Sequence, residues 1–205
     1  MNDVEIRQNF HRKILRRQHA HKDTLVIDEL GLNHGKCRAD IAVVNGRFVG
    51  YEIKSNNDSL RRLGEQVKSY NAVFDKAFII VGNRHIKSIQ NYVPEWWGII
   101  ESARGPRGAV NFDLIRKAQT NKNIDLISIA KLLWRNEAEE ILMQKKMPSK
   151  ILRQPRAILY ECLVDVLNTC ELRKIVRKYL KNRRNWRCPA LPSRYDGLYQ
   201  LSPTL

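Results

Sequence analysis

The sequence predicts a mixed α/β core followed by a basic α-helical C-terminal part. Three observations lead there. Short β-branched runs alternate with amphipathic stretches up to about residue 113, as in α/β folds. Beyond that point long helical patterns replace the short strands. The positive charge also shifts toward the end: residues 143–194 hold 14 Lys or Arg against 3 Asp or Glu. We therefore divide the 205 residues into a core at 1–112 and a helical region at 113–205.

The elements follow in order. Val4, Ile6, Phe10, Ile14 and Leu15 recur at helical spacing, which predicts a helix over 3–20. "TLVIDEL" is short and β-branched and reads as a strand, and "GLNHGK" as a loop. "ADIAVV" and "RFVGYEIK" read as two strands of a hairpin around Asn45-Gly46. Leu60, Leu63, Val67, Tyr70 and Phe74 predict a helix over 59–74. "KAFIIVG" has the length and composition of a buried strand, and "HIKSIQNYV" reads as a short helix ending before Pro94. "WWGIIES" and "AVNFDLI" are further strands. Then come a long helix over 124–146, a second beginning after Pro155 and a third over 171–184. The tail from Pro189 reads as irregular.

Composition narrows the function classes. Lys and Arg number 37 and Asp and Glu 21, a formal net charge of +16. Such a surplus favours a polyanionic partner, nucleic acid first. No apolar run nears the roughly 20 residues that span a bilayer, and the N-terminus lacks a signal-peptide apolar stretch, so the expectation is a cytoplasmic protein without a membrane partner. Cys37, Cys162, Cys170 and Cys188 form no C-x-x-C pair and are read as reduced, buried thiols.

The hairpin carries the chemistry. If Asn45-Gly46 were a two-residue turn, opposed residue numbers would sum to 91 and Asp40 and Glu52 would fall on opposite faces. A three-residue loop with Gly46 in a left-handed bulge position gives sums of 90 or 92. Asp40 and Glu52 then share a face, with Lys54 two residues beyond Glu52; Gly50 offers another place for a bulge. Two carboxylates on one face call for a cation, and oxygen ligands suit Mg²⁺ or Mn²⁺. A neighbouring lysine can orient a water and offset phosphate charge. The blander reading of Glu-x-Lys is a solvated strand face. An aspartate opening one strand, Glu-x-Lys closing its partner and a helix following make the metal-site reading the stronger one.

"RAD-IAVVNGRFVGY-EIK" resembles the core motif of the PD-(D/E)XK nuclease superfamily, with Ala39 where the usual proline stands. The resemblance implies a restriction-endonuclease-like mixed central sheet flanked by helices, here with a basic α-helical C-terminal extension. It implies Mg²⁺ (or Mn²⁺) held by Asp40, Glu52 and the backbone carbonyl of Ile53, with Lys54 assisting the attacking water. "EQVKSY" resembles the Q-x-x-x-Y feature of RecB-like members and adds Gln66 and Tyr70, although Tyr70 also lies on the core stripe. Members often add one more carboxylate; Glu29 is the first candidate and Glu5 the second. The stretch Glu52–Asp75 is also similar to a small bacterial family of nuclease-like proteins.

The implied function is a metal-dependent endonuclease acting on DNA, in repair, recombination, mobile-element biology or phage defence. Arg61 and Arg62 follow the motif and are candidates for holding phosphates, as against a solvated helix face. Arg173, Lys174, Arg177, Lys178, Lys181, Arg183 and Arg184 are candidates for gripping the backbone around a buried stripe of Leu172, Ile175, Val176, Tyr179 and Leu180. Trp96 and Trp97 are read as core packing rather than base stacking. The alternatives are a non-catalytic DNA-binding module with a nuclease-like core and an RNA-acting nuclease. A homodimer is compatible with either.

Overall fold

The computed structural model describes residues 1–183 and Trp186. A six-stranded mixed sheet lies between helices on both faces. The strands are β1 (Leu25–Leu32), β2 (Cys37–Val44), β3 (Phe48–Lys54), β4 (Lys76–Gly82), β5 (Gly98–Arg104) and β6 (Val110–Arg116), in that spatial order. β1, β2 and β3 form an antiparallel meander; β4 and β5 add parallel, and β6 closes antiparallel.

Helix α1 (Asp3–Lys13) covers one face. The Asn2 side chain accepts the Glu5 N–H, and Asp3 and Glu5 stand at the positive end of the helix. Ile6, Phe10 and Leu15 pack there against Val26, Ile41, Val43, Tyr51, Ile53, Ile80 and Ile100. The helix expected over 3–20 breaks after Lys13 and resumes as α2 (Arg16–Ala20). The break buries Leu15 while leaving Ile14 42% exposed.

The other face is covered by α3 (Leu63–Val73) and by the C-terminal helices α4 (Leu126–Ala130), α5 (Arg135–Gln144), α6 (Ser149–Leu152), α7 (Arg156–Val166) and α8 (Thr169–Asn182). The long helix expected over 124–146 is two. Between α4 and α5 the Leu132 and Leu133 carbonyls leave the helical ladder and accept from Arg183 (2.8 Å) and Tyr160 (3.0 Å). This buries both leucines and turns Trp134 outward. α8 keeps its expected stripe, with Leu172, Val176 and Leu180 fully buried.

Other expectations shift at the edges. β1 runs through Gly31 and Leu32, where the sequence reads as loop. Only Ile89–Asn91 of the short helix before Pro94 forms, as one 3-10 turn. The border expected at residue 112 falls inside β6, and helices beyond it share a core with the sheet. Cys37, Cys162 and Cys170 are free thiols but not fully buried, and Cys188 lies outside the described residues. Trp97 is fully buried and donates to Asn71 Oδ1 (2.8 Å).

The acid Asp75, 4% exposed, fastens several of these parts. Its carboxylate accepts the Phe48 N–H (2.7 Å) at the start of β3 and pairs with Arg173 of α8. Its carbonyl accepts the Asn121 N–H (2.8 Å). No helix among the described residues is long and apolar enough to cross a membrane.

Candidate functional site

β2 and β3 pair from Val44↔Phe48 to Ile41↔Tyr51, so opposed numbers sum to 92 and the loop has three residues. Asn45 closes it: its N–H donates to the Arg47 carbonyl (3.1 Å) and its Oδ1 accepts the Arg47 N–H (3.0 Å). Gly46 is not left-handed; Gly35 and Gly108 are the described glycines with positive φ. Nor is Gly50 a bulge. The β2–β3 register runs through it unbroken, and a Cβ there would meet the Phe74 ring at 2.6 Å.

The next step of that register sets Asp40 opposite Glu52, and there the ladder ends. Asp40 Oδ2 accepts the Ile53 N–H (2.7 Å). Ala39 and Ala42 both pack on the α3 side, so the strand's alternation slips around Asp40.

Glu52 is fully buried. Lys54 Nζ donates to its Oε1 (2.7 Å), and Gln66 Nε2 donates to the same oxygen. The Tyr70 hydroxyl donates to Oε2 (2.8 Å) and accepts the Asp40 N–H (3.2 Å). Helix α3 thus delivers Gln66 and Tyr70 from one face, four residues apart. Gln66 Oε1 is buried without a hydrogen-bond partner.

Arg7 of α1 joins the site without being among the sequence candidates. Its Nη2 meets Glu29 Oε1 (2.8 Å), Asp3 Oδ2 (3.2 Å) and Asp40 Oδ1 (3.2 Å), and its Nη1 donates to the Asp40 carbonyl (2.8 Å). The sequence signal for it is Asp3 and Arg7 at i, i+4 on a helix that packs on the sheet. Glu29 is left-handed (φ 57°) in mid-strand, at the step that the β1–β2 pairing skips between Asp28↔Ile41 and Leu30↔Ala39. A non-glycine residue held there within a strand is a strained position of the kind found at functional sites.

Burial pushes the Asp40 carboxyl up to about 7, helped by the charge of Glu52 and opposed by the Ile53 N–H and Arg7. Burial also raises Glu52, opposed chiefly by Lys54. Beside the pair opens a cleft of about 530 Å³ lined by Glu29, Lys36, Arg38, Asp40, Arg62 and Gln66, among others.

The remaining candidates divide. Glu5 is away from the cleft, because it lies two residues from Arg7 on another helix face and pairs with Arg104 (2.7 Å). Arg62 lines the cleft, whereas Arg61 does not. Arg173 is committed to Asp75. Arg183 is committed to Glu137, with both side chains 8% exposed, and its guanidinium lies over the Trp134 ring at 4.2 Å. Arg177 is half-buried over Phe48 (5.8 Å). Lys174 and Lys178 are exposed and Lys181 is partly so. Arg184 lies outside the described residues.

The donor set accommodates a hard cation only in part. Two desolvated carboxylates and an unpartnered amide oxygen suit Mg²⁺ or Mn²⁺. Each carboxylate oxygen already holds a protein donor, and no three His, Cys, Asp or Glu side chains among the described residues are grouped to hold a metal ion.

Fold and site together define a mixed α/β protein with a buried acid pair and lysine where two central strands part. The chain belongs to the bacteriophage P4 protein cII family, whose sequence profile matches residues 2–191. It is 26% identical over 180 residues to "Protein cII" of Enterobacteria phage P4, covering 88% of this chain and 67% of that protein. No solved structure matches it.

Proposed function

We propose that the acid cleft hydrolyses phosphodiester bonds in nucleic acid, with DNA as the substrate, as a PD-(D/E)XK-type nuclease with a restriction-endonuclease-like core. The supporting observation is the convergence on Glu52 of Lys54, Gln66 and Tyr70 from β3 and α3, with Asp40 held beside them. Helix, antiparallel meander, helix and parallel strand follow in the order that this reading requires.

Asp40, Glu52 and the Ile53 carbonyl would hold Mg²⁺ or Mn²⁺, which when bound supplies charge neutralisation and a water of lowered pKa. Lys54, whose ammonium is already fixed by Glu52, orients the attacking water and offsets charge on the phosphate. Gln66 holds the Glu52 carboxylate in place, and Tyr70 ties it to the backbone of Asp40. Arg7, which is shared among Asp40, Glu29 and Asp3, offsets the charge of the three acids, and Glu29 and Asp3 would still hold it with Asp40 given over to the cation. Arg62 and the exposed lysines of α8 meet the phosphate backbone.

The test is a cleavage assay with Mg²⁺ or Mn²⁺ on linear, nicked, branched and single-stranded DNA and RNA, with Lys54→Ala as control. Metal-dependent cleavage that Lys54→Ala removes supports the proposal; binding without cleavage on every substrate sinks it. A second reading, a non-catalytic DNA-binding module, draws on the complete pairing of the acid oxygens with protein donors. RNA cleavage in the same assay would make the enzyme RNA-directed.

A further inference from the structure

A second cavity, of about 300 Å³, lies on the far side of the turn Asn33–Gly35 from the acid cleft. Gly35 lines both. Lys131, Arg135, Arg156 and Arg183 surround the second cavity, and none of the residues lining it is acidic. Its aromatic walls are Trp134, Tyr160, Trp186 and His34. We infer that this cavity binds one nucleotide of a single nucleic-acid strand, so that the strand entering the acid cleft is unpaired at that point. The inference rests on the proposed nucleic-acid-directed function and adds to it the form of the substrate.

The shape of the aromatic wall carries the argument. Trp134 has one face against the Arg183 guanidinium (4.2 Å), yet the residue is 55% exposed. Arg183 is held by Glu137 and lies 5.3 Å from the Trp186 ring, so the indole rests on a fixed support. An indole fixed on one side and open on the other is a platform for a planar ring. His34, also in the lining, stacks on Tyr160 at 5.5 Å and 27°. Burial and the charges of Arg156, Lys131 and Lys36 lower the His34 pKa, which marks the local field as positive. A base stacked inside a duplex cannot reach such a platform, whereas an unstacked base can, with its phosphates toward Lys131, Arg135 and Arg156. Arg135 also pairs with Glu139 (2.6 Å), but that pair is exposed at 44% and 32% and yields readily.

The dividing turn supports the same path. Asn33, His34 and Gly35 all have positive φ (45°, 60° and 83°). Asn, His and Gly are the residue types that enter the left-handed region most readily, and three in a row make a tight turn. Here the turn sets Asn33 and Gly35 at the acid cleft and His34 at the aromatic cavity.

The experiment uses the full chain carrying Glu52→Gln, in EDTA, so that binding is read without cleavage. Tryptophan emission is titrated with a twelve-residue oligothymidylate, a blunt duplex of the same length and anionic phosphatidylglycerol vesicles. Oligothymidylate should quench the emission. Trp134→Ala should weaken its binding about tenfold, with Trp134→Phe restoring most of the loss, as expected for one stacked base. Arg156→Glu should weaken it comparably, and duplex affinity should be unchanged by Trp134→Ala. Thermal unfolding confirms that each variant is folded. The inference is overturned by unchanged oligothymidylate affinity in folded Trp134→Ala and Arg156→Glu. Equal losses on the duplex overturn it too, as do vesicles that displace the oligonucleotide. A wild-type chain that binds oligothymidylate through Trp134 but cleaves nothing leaves this inference standing and removes the nuclease reading.

Discussion

The acid cleft and the C-terminal helices treat charge in opposite ways. In the cleft, carboxylates are crowded and desolvated, so that Asp40 is pushed up to about 7 and Glu52 is raised. In the helical region two prominent arginines are spent on buried acids, Arg173 on Asp75 and Arg183 on Glu137. A structural ion pair gives each acid one dedicated base. The cleft instead sets Arg7 among Asp3, Glu29 and Asp40 and leaves Lys54 to Glu52. The first arrangement holds elements together, and the second keeps acids together against their own repulsion, an arrangement of the kind that clusters at functional sites.

Substitutions can break this contrast, and the largest effect belongs to the cleft. On the proposed nuclease reading, Glu52→Gln or Asp40→Asn should abolish cleavage while the fold persists, since each keeps side-chain size and would remove a charged ligand. Lys54→Ala should slow cleavage on the order of 10²–10⁴-fold. Single-turnover assays beside circular dichroism check both. Two variants that cleave at the wild-type rate in Mg²⁺ would end the catalytic assignment.

Glu137→Ala comes next, and it acts on stability. It leaves Arg183 buried and unpaired, and a loss of about 3–5 kcal/mol is expected in denaturant unfolding. A loss under about 1 kcal/mol would mean that the helical pair is no more structural than a surface pair.

The third effect is a pH dependence. Folded, Asp40 keeps its proton up to about 7; unfolded, it loses it near the ordinary aspartate value. Between those values the folded state binds more protons, so this group makes stability fall as pH rises from about 4 to about 7. Asp40→Asn should flatten that fall and stabilise the fold most at neutral pH. Melting temperatures across the range decide it, and a wild-type curve that rises with pH while Asp40→Asn leaves its slope unchanged would count against a desolvated Asp40.

The smallest effect sharpens the helical side. Lys174, Lys178 and Lys181 changed together to Ala should leave stability within about 0.5 kcal/mol. Each phosphate that these lysines no longer neutralise should flatten the plot of log K against log salt by about 0.9 for duplex DNA. An unchanged slope would remove α8 from the binding surface.

How much of this is legible in the sequence depends on range. Period-two alternation and turn length are local, so the hairpin arithmetic puts Asp40, Glu52 and Lys54 on one face with sums of 90 or 92, and the structure takes 92. The Gln66 and Tyr70 spacing is read the same way. Arg7 is not legible, since it meets Asp40 across 33 residues through the docking of α1. The exposed half of α8 cannot be sorted by periodicity either. Arg173, Arg177 and Arg183 look like surface residues until Asp75, Phe48 and Glu137 arrive from elsewhere in the chain. The split of the helix over 124–146 is hidden for the same reason, because the carbonyls it frees are capped by Tyr160 and Arg183.

Asp75 has a consequence in time. A growing polypeptide contains this carboxylate 98 residues before it contains Arg173. All six strands are therefore synthesised while the acid that will lie beneath α8 still lacks its base. Until α8 arrives, the junction of β3 and β4 must stay open to water. The sheet can pair early, but its α8 side seals late, and a ribosome stalled before Arg173 would hold a chain with the six strands of this sheet made and its floor still wet.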